Sequence, residues 1–220
     1  EKAICLACCA DFLVAVDSCG RVFTSFVGDL YGLDYIEIDF KLANELESVK
    51  ITKVSGVLDH CFAVSDDGRV FVRGFNYNGQ LGIGEGVNEM KEFKEVFNLR
   101  NYKIKAAYAG CSHSLFQTEE GKILSCGSNV CGELIDSSPS KIRIYNPIET
   151  KITKDAVFCI AGESLSVVFI GSDPIMSPNR PINTDNSVEI NSSSLKINEL
   201  ESSKNLVNIN DRVATKVPSF

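Results

Sequence analysis

Three groups of residues have types and spacings that could carry chemistry. His113 and Ser114 stand side by side, as a base and a nucleophile would. Cys5, Cys8 and Cys9 have a spacing found in metal sites. The glycine-rich run at residues 82–86 has the composition of a loop that cradles phosphates. Each group needs a further partner before it can act, and the elements around it must supply that partner.

The His113-Ser114 pair lacks a third group to orient the imidazole. Adjacent residues on a strand point to opposite faces, so the two side chains would not meet. A second histidine, His60, stands at an equivalent place 53 residues earlier. The sequence therefore favours a structural role, in which each histidine makes a hydrogen bond where a strand begins.

The cysteines do not complete a metal site. A structural zinc site needs a second pair of ligands, and none stands out among the remaining cysteines. Cys61, Cys126 and Cys159 lie in or beside apolar runs, where a small buried thiol packs well. The sequence predicts reduced, intracellular cysteines, no metal site and no cofactor.

The glycine-rich run at 82–86 is an imperfect dinucleotide fingerprint. Residues 87–97, which follow it, are compatible with the helix that such a site requires. The preceding Gly74, Asn76 and Gly79, however, recur 53 residues later in a segment without this run. That recurrence is typical of turns in a repeated unit and favours a structural loop.

An internal repeat is the strongest signal in the chain. Six landmarks recur with one spacing: His60/His113, Gly68/Gly121, Gly74/Gly127, Asn76/Asn129, Gly79/Gly132 and Leu81/Leu134. A period near fifty residues, built from short apolar runs and turn glycines, indicates a propeller or another radial array. The sequence thus predicts an all-β fold in which each unit is one small sheet.

The local pattern predicts hairpins in every unit. Runs rich in β-branched and aromatic residues flank an acidic turn that ends in Gly68, and the same arrangement surrounds Gly121. The first unit contains a similar hairpin, whose turn ends in Gly20. A fourth unit begins near Lys154 and stops after its second apolar run.

These repeats closely resemble those of the regulator of chromosome condensation (RCC1) family, whose units end in Gly-x-Asn-x-x-Gly-Gln-Leu-Gly. The resemblance covers residues 2–171, with units at about 2–49, 50–102, 103–153 and 154–171. In units one and four, Phe12 and Leu165 stand where the family has histidine. The structural motif residues are Gly68, Gly74, Asn76, Gly79, Gln80, Leu81, Gly82, Gly121, Gly127, Asn129 and Gly132.

The family fold is a seven-bladed propeller, so the resemblance implies a partial one here. We expect about three and a half blades of four-stranded antiparallel sheets, from a longer protein or an incomplete gene model that begins at Glu1. Residues 172–220 hold eight Asn and nine Ser and no glycine or cysteine. This composition predicts a linker or a disordered tail.

The overall charge bears on partners. A formal net charge of −7 disfavours direct binding to nucleic acid, which needs a concentrated basic face. The sequence contains no run of eighteen apolar residues, so no membrane span is predicted. The expected partner is a protein, in the cytoplasm or the nucleus.

The resemblance also implies where a partner would bind. In a family member, loops around the repeat histidine contact a Ran-type GTPase and promote nucleotide release. The matching positions here are Asp59 and His60, His113, and less closely Asp11. The first hypothesis is a non-catalytic propeller module that binds protein partners. The alternative is a guanine-nucleotide exchange factor for a Ran-type GTPase, and a degenerate propeller retained as a scaffold is a third. The inserted wedge of that family member is not evident, although residues 85–97 are a candidate for a longer loop.

Overall fold

The computed structural model describes residues 2–26, 39–135 and 141–171, and these form an all-β structure. The tail predicted at 172–220 lies outside the described residues. The strands are β1 (Ala3–Cys8), β2 (Phe12–Asp17), β3 (Val22–Phe26), β4 (Lys41–Leu42), β5 (Ile51–Val57), β6 (His60–Ser65), β7 (Val70–Phe75), β8 (Glu89–Glu95), β9 (Ile104–Ala109), β10 (His113–Thr118), β11 (Ile123–Ser128), β12 (Arg143–Glu149), β13 (Ala156–Ala161) and β14 (Ser166–Ile170). Two short 3₁₀ helices, Asn44–Leu46 and Phe97–Leu99, lead into the next blade.

Within the described ranges the strands form three four-stranded sheets and one two-stranded sheet, all antiparallel. Each sheet follows chain order, and we number them blades 1 to 4. The second and third strands of a blade keep one register: His60 pairs with Gly74 in blade 2, and His113 pairs with Gly127 in blade 3. The repeat predicted from the sequence is thus a repeat of blades, and the described part of the chain is an arc of β-propeller blades.

Residues 87–97 do not form the helix that a dinucleotide loop requires. They contain strand β8, which pairs with β7 through Glu89 opposite Phe75 and Glu95 opposite Phe71. Phe93 is buried, whereas the residues on either side of it are exposed. This alternation fits a strand with one packed face. The segment is therefore the outer strand of blade 2.

Neighbouring blades pack face to face through apolar side chains. Between blades 1 and 2 the core includes Val14, Val16 and Ile51. Between blades 2 and 3 it is built around Phe62 and Phe116, whose rings meet edge to face at 5.2 Å. A third cluster joins blades 3 and 4. The inner strands β1, β5, β9 and β13 lie next to one another in that order.

The two end blades each leave an apolar face uncovered among the described residues. Ile4 and Leu6 of β1 are 57% and 65% exposed, on the face opposite the core. In blade 4, Ile160 of β13 is likewise exposed. These faces are what an open arc of blades presents at its ends. Within the described part of the chain, helices are too short and too polar to cross a bilayer.

Candidate partner-binding face

Four turns between the first and second strands of the blades lie together at one end of the inner strands. They comprise residues 9–11, 58–59, 110–112 and 162–165, and we call this surface the turn face. Backbone bonds join neighbouring turns: Ala10 N–H donates to Leu58 O (2.5 Å), and Cys111 N–H donates to Gly162 O (3.0 Å). The turns are thus held by one another as well as by their own strands.

Carboxylates stand on three of the four turns. Asp11 and Glu163 are exposed, and the side chain of Asp59 is 35% exposed. Burial is the main cause that raises the pKa of the Cys111 thiol, and the charges of Glu163 and Asp59 add to it. The thiol therefore lies within the field of two carboxylates from the blades on either side. The turn face thus carries carboxylates of blades 1, 2 and 4.

Exposed apolar side chains accompany these carboxylates. Leu58 is 50% exposed and adopts a left-handed conformation with φ of +48°. Leu165 is 56% exposed at the fourth turn. The third strand of blade 2 ends on the same side, because Phe75 N–H donates to Asp59 O (3.0 Å). Tyr77 follows it, 57% exposed and stacked on Phe75. Acidic and apolar groups therefore alternate over this end of the propeller.

The two repeat histidines are fully buried beneath the turn face. His60 Nε2 lies 3.1 Å from Ser114 Oγ in the next blade, and Ser114 donates its proton to Gln80 O (2.8 Å). His113 repeats this arrangement with Ser166 Oγ (2.9 Å). Because each hydroxyl proton goes to a carbonyl, each imidazole donates to the hydroxyl. We call these two contacts the His–Ser links.

The second ring nitrogen distinguishes the two histidines. His60 Nδ1 lies 3.2 Å from Asp59 Oδ1, so the ring lies directly beside this carboxylate at the turn. His113 Nδ1 is buried and has no hydrogen-bond partner. Burial lowers the pKa of His113 to about 4, so this ring is neutral at physiological pH. Asp59 is therefore the predicted site residue that is both accessible and next to a buried histidine ring.

The asparagine of the Gly-x-Asn motif stabilises the loop that follows it through side-chain hydrogen bonds. In blade 2, Asn76 Nδ2 donates to Gly84 O (3.1 Å) and Val87 O (2.8 Å), and its Oδ1 accepts from Leu81 N–H (3.0 Å). Asn129 makes the same Oδ1 contact with Leu134 N–H (3.2 Å). These hydrogen bonds direct Leu81 and Leu134 inward, where both side chains are fully buried.

The motif glycines allow close approach to the next blade. A Cβ on Gly79 would lie 2.7 Å from Ile144 O of β12, and one on Gly82 would lie 2.9 Å from Pro147 Cγ. Gly68 has φ of +87°, and its carbonyl accepts from Ile104 N–H at the start of blade 3 (3.0 Å). The sequence revealed that Gly68 and Gly79 recur, but not that they serve the neighbouring blade.

The cysteine group at the N-terminal end is not arranged as a metal site. Cys5 Sγ donates to Val54 O (3.7 Å), Cys9 Sγ donates to His60 O (3.4 Å), and Cys8 is exposed. Across residues 2–26, 39–135 and 141–171, the structure brings together no group of three or more His, Cys, Asp or Glu side chains fit to hold a metal ion.

Comparison with known proteins supports the same repeats. Two family models described as the regulator of chromosome condensation (RCC1) repeat match residues 67–117 and 51–80. A mouse protein named secretion-regulating guanine nucleotide exchange factor is 36% identical over 112 residues, covering 50% of this chain and 24% of that protein. Its bovine counterpart is 33% identical over 122 residues, covering 55% and 26%. The chain thus spans about a quarter of these relatives. A human probable E3 ubiquitin-protein ligase, HERC6, is 33% identical over 105 residues, covering 44% of this chain and 10% of that protein.

Solved structures show the same fold. Prp20p from Saccharomyces cerevisiae, studied for its binding properties to Gsp1p and histones, superposes with a TM-score of 0.63 at 23% identity. The match covers 77% of this chain and 43% of Prp20p. Yeast RCC1 (Prp20) bound to Kap60 gives the same TM-score over 77% and 42%. Repeat, register and fold agree: residues 51–117 match the RCC1-repeat models, and the described chain has the fold of an RCC1-type propeller.

Proposed function

We propose that the chain is a propeller module that binds a protein partner through the turn face and is not itself catalytic. The observation that carries this proposal is the combination of exposed apolar side chains with carboxylates on turns that backbone hydrogen bonds hold in place. Leu58 and Asp59 are the central pair, since they are adjacent in sequence and both accessible. Such a surface suits a partner whose own patch is basic at the rim and apolar at its centre.

The buried polar groups support a non-catalytic role. Ser114 is fully buried, and its hydroxyl proton is given to a backbone carbonyl, not to a base. A nucleophilic serine needs the opposite arrangement, in which a neighbouring base takes that proton. The His–Ser links therefore stabilise the contact between blades, and binding is left to the exposed turns.

A comparison of charge-reversal variants tests this proposal. Asp59→Arg on the turn face is compared with Glu120→Arg, which reverses an exposed carboxylate at the opposite end of the propeller. Partners captured by the intact protein are identified, and the affinity of each is then measured with purified components. We expect Asp59→Arg to weaken binding and Glu120→Arg to leave it unchanged. Equal affinities for the two variants would contradict a role for the turn face.

Guanine-nucleotide exchange on a Ran-type GTPase is the second candidate, because two relatives of the chain are named as exchange factors. Exchange needs no covalent chemistry. A partner that binds the nucleotide-free GTPase more tightly than the nucleotide-bound form accelerates release through that difference in affinity. Asp59, which lies beside the His60 ring, is the residue we assign to the contact.

Release of a fluorescent guanine nucleotide from a Ran-type GTPase distinguishes the two functions. The intact protein is compared with Asp59→Ala and with Glu120→Ala as the control, after circular dichroism has shown that all three fold. Faster release that is lost only in Asp59→Ala would establish exchange through the turn face. Unchanged release by the folded protein would exclude exchange on this GTPase and leave the binding module.

The cysteines support an intracellular location. All nine are free thiols in the structure, including the exposed Cys8, Cys19 and Cys131. Extracellular domains of this size commonly pair such cysteines, whereas cytosolic and nuclear proteins keep them reduced. We therefore place the protein in the cytoplasm or the nucleus.

A further inference from the structure

The contact between blades 1 and 2 lacks a His–Ser link. Phe12 begins β2 where His60 and His113 begin the second strands of their blades. Cys61, which follows His60, occupies the position that Ser114 holds after His113. Both members of the link are thus replaced at this one contact. Cys61 is fully buried there, so its thiol needs a different partner.

Cys9 supplies that partner from the turn of blade 1. Its N–H donates to Phe12 O (2.9 Å), as Gly110 N–H donates to His113 O (2.8 Å), so the two positions are equivalent. A Cβ on Gly110 would lie 2.7 Å from His113 Nδ1, which means that a side chain at this position competes with the ring for space. Blade 1 instead carries Cys9 at this position and Phe12 in place of the histidine, and the Cys9 side chain lies next to the following blade.

The two thiols converge over a glycine. A Cβ on Gly56 of β5 would lie 2.8 Å from Cys9 Sγ and 2.9 Å from Cys61 Cβ, so the absence of a side chain there makes room for both. Burial, followed by a hydrogen bond with the Cys9 thiol, raises the pKa of Cys61. Cys9 also lies 3.4 Å from His60 O, directly beside Cys61 along the chain. These contacts place the two thiols side by side in the contact between blades 1 and 2.

We propose that Cys9 and Cys61 are a redox-modification site, and that a peroxide converts the pair into a reversible disulfide joining blades 1 and 2. Cys9 is the half-buried member and therefore the one that hydrogen peroxide reaches. The fully buried Cys61 acts as the resolving thiol. Disulfides in intracellular proteins are commonly of this transient, redox-sensing kind.

The reaction balances with one peroxide. The Cys9 thiol loses its proton, and the thiolate sulfur attacks a peroxide oxygen; the O–O bond breaks, Cys9 becomes a sulfenic acid, and the released hydroxide takes up that proton to form one water. Cys61 sulfur then attacks the Cys9 sulfur, the S–O bond breaks, and the leaving oxygen takes the Cys61 proton to form a second water. Two thiols lose two electrons and two protons in total, and hydrogen peroxide is reduced to two waters. A dithiol reductant reverses the change through thiol–disulfide exchange.

Peptide mapping of the full chain tests the proposal. The folded protein is treated with hydrogen peroxide, free thiols are alkylated, and a tryptic digest is analysed without reduction. Residues 54–69 form a tryptic peptide whose single cysteine is Cys61. We expect this peptide to be joined to Cys9, and the joined species to disappear after reduction. Cys61 recovered only as the alkylated thiol, or joined to another cysteine, would overturn the proposal.

A matched pair of variants sharpens the result. Cys8→Ser removes the exposed neighbour and should keep the linked peptide, whereas Cys9→Ser should lose it. A link that persists in Cys9→Ser would refute the assignment. Fragmentation of the linked peptide from the wild-type protein locates the bond without any variant, so the outcome remains decisive if Cys9→Ser fails to fold.

Discussion

Removal of one hydroxyl provides a direct test of the His–Ser links. In Ser114→Ala, the Nε2 proton of His60 loses its acceptor, and Gln80 O loses the stronger of its two donors. Both groups are fully inside the contact between blades 2 and 3, where water does not replace the hydroxyl. Leaving a buried polar group without a partner costs about 1–3 kcal/mol. We therefore expect Ser114→Ala to lower the free energy of unfolding by about 2–3 kcal/mol.

The equivalent link provides the matched control. Ser166 accepts from His113 and donates to Glu133 O, but it is only half-buried. Water can take over part of its hydrogen bonding, so Ser166→Ala should cost about 1 kcal/mol or less. The difference between the two variants thus measures the effect of burial on the same chemical contact.

Urea unfolding followed by far-ultraviolet circular dichroism measures both variants, since the chain has no tryptophan. A double variant, His60→Leu with Ser114→Ala, completes the test. Replacing both partners by apolar groups removes the unpaired proton, so the double variant should be more stable than the sum of the single losses predicts. Equal losses for Ser114→Ala and Ser166→Ala, together with additive energies, would refute the assignment of these links.

Three further outcomes follow from the contacts described above. Gly74→Ala should prevent blade 2 from folding, as measured by circular dichroism, because a Cβ there would overlap the backbone of the adjacent turn. Gly86 has open space around it, so Gly86→Ala should lower the free energy of unfolding by only about 1–2 kcal/mol, the cost of its φ of +90°. Leu81→Ala should lower the free energy of unfolding by about 3 kcal/mol, because its side chain is fully buried between blades, and Val130→Ala, 71% exposed, should change it little. The pKa of His113 is about 4 in the folded chain and near 6.5 when unfolded, so protonation favours the unfolded state and stability should fall by up to about 3 kcal/mol from pH 6.5 to pH 4. Urea midpoints of His113→Gln, measured over this range, should lack that part of the pH dependence.

The repeat could be read from the sequence because it depends on local rules. A turn that needs positive φ selects glycine, and Gly68 and Gly121 have φ of +87° and +78°. Short β-branched and aromatic runs on either side select strands. These requirements act within about ten residues and recur in each unit, so spacing alone exposes them.

The His–Ser links could not be read in the same way, because their partners lie one unit apart. His113 and Ser114 are adjacent in sequence but belong to different contacts: His113 reaches blade 4, and Ser114 receives His60 from blade 2. Adjacent side chains on a strand point in opposite directions, which argued against a catalytic pair. The same geometry lets His113 face one neighbouring blade and Ser114 face the other. The available signal was the shared period of His and Ser, together with Phe12 where the histidine is missing.

The links connect the buried interior with the exposed turn face. His60 contacts Ser114 of the next blade at one nitrogen and lies beside Asp59 at the other, so the packing of blades 2 and 3 sets the ring next to a carboxylate on the surface. The first turn is held differently, by the backbone bond from Ala10 to Leu58 and by the thiols of Cys9 and Cys61. Oxidation of this pair would therefore fix Asp11 relative to Asp59 without changing a single residue of the surface. A partner that contacts both carboxylates would bind the oxidised and reduced proteins with different affinities, whereas one that contacts only Asp59 would not distinguish them.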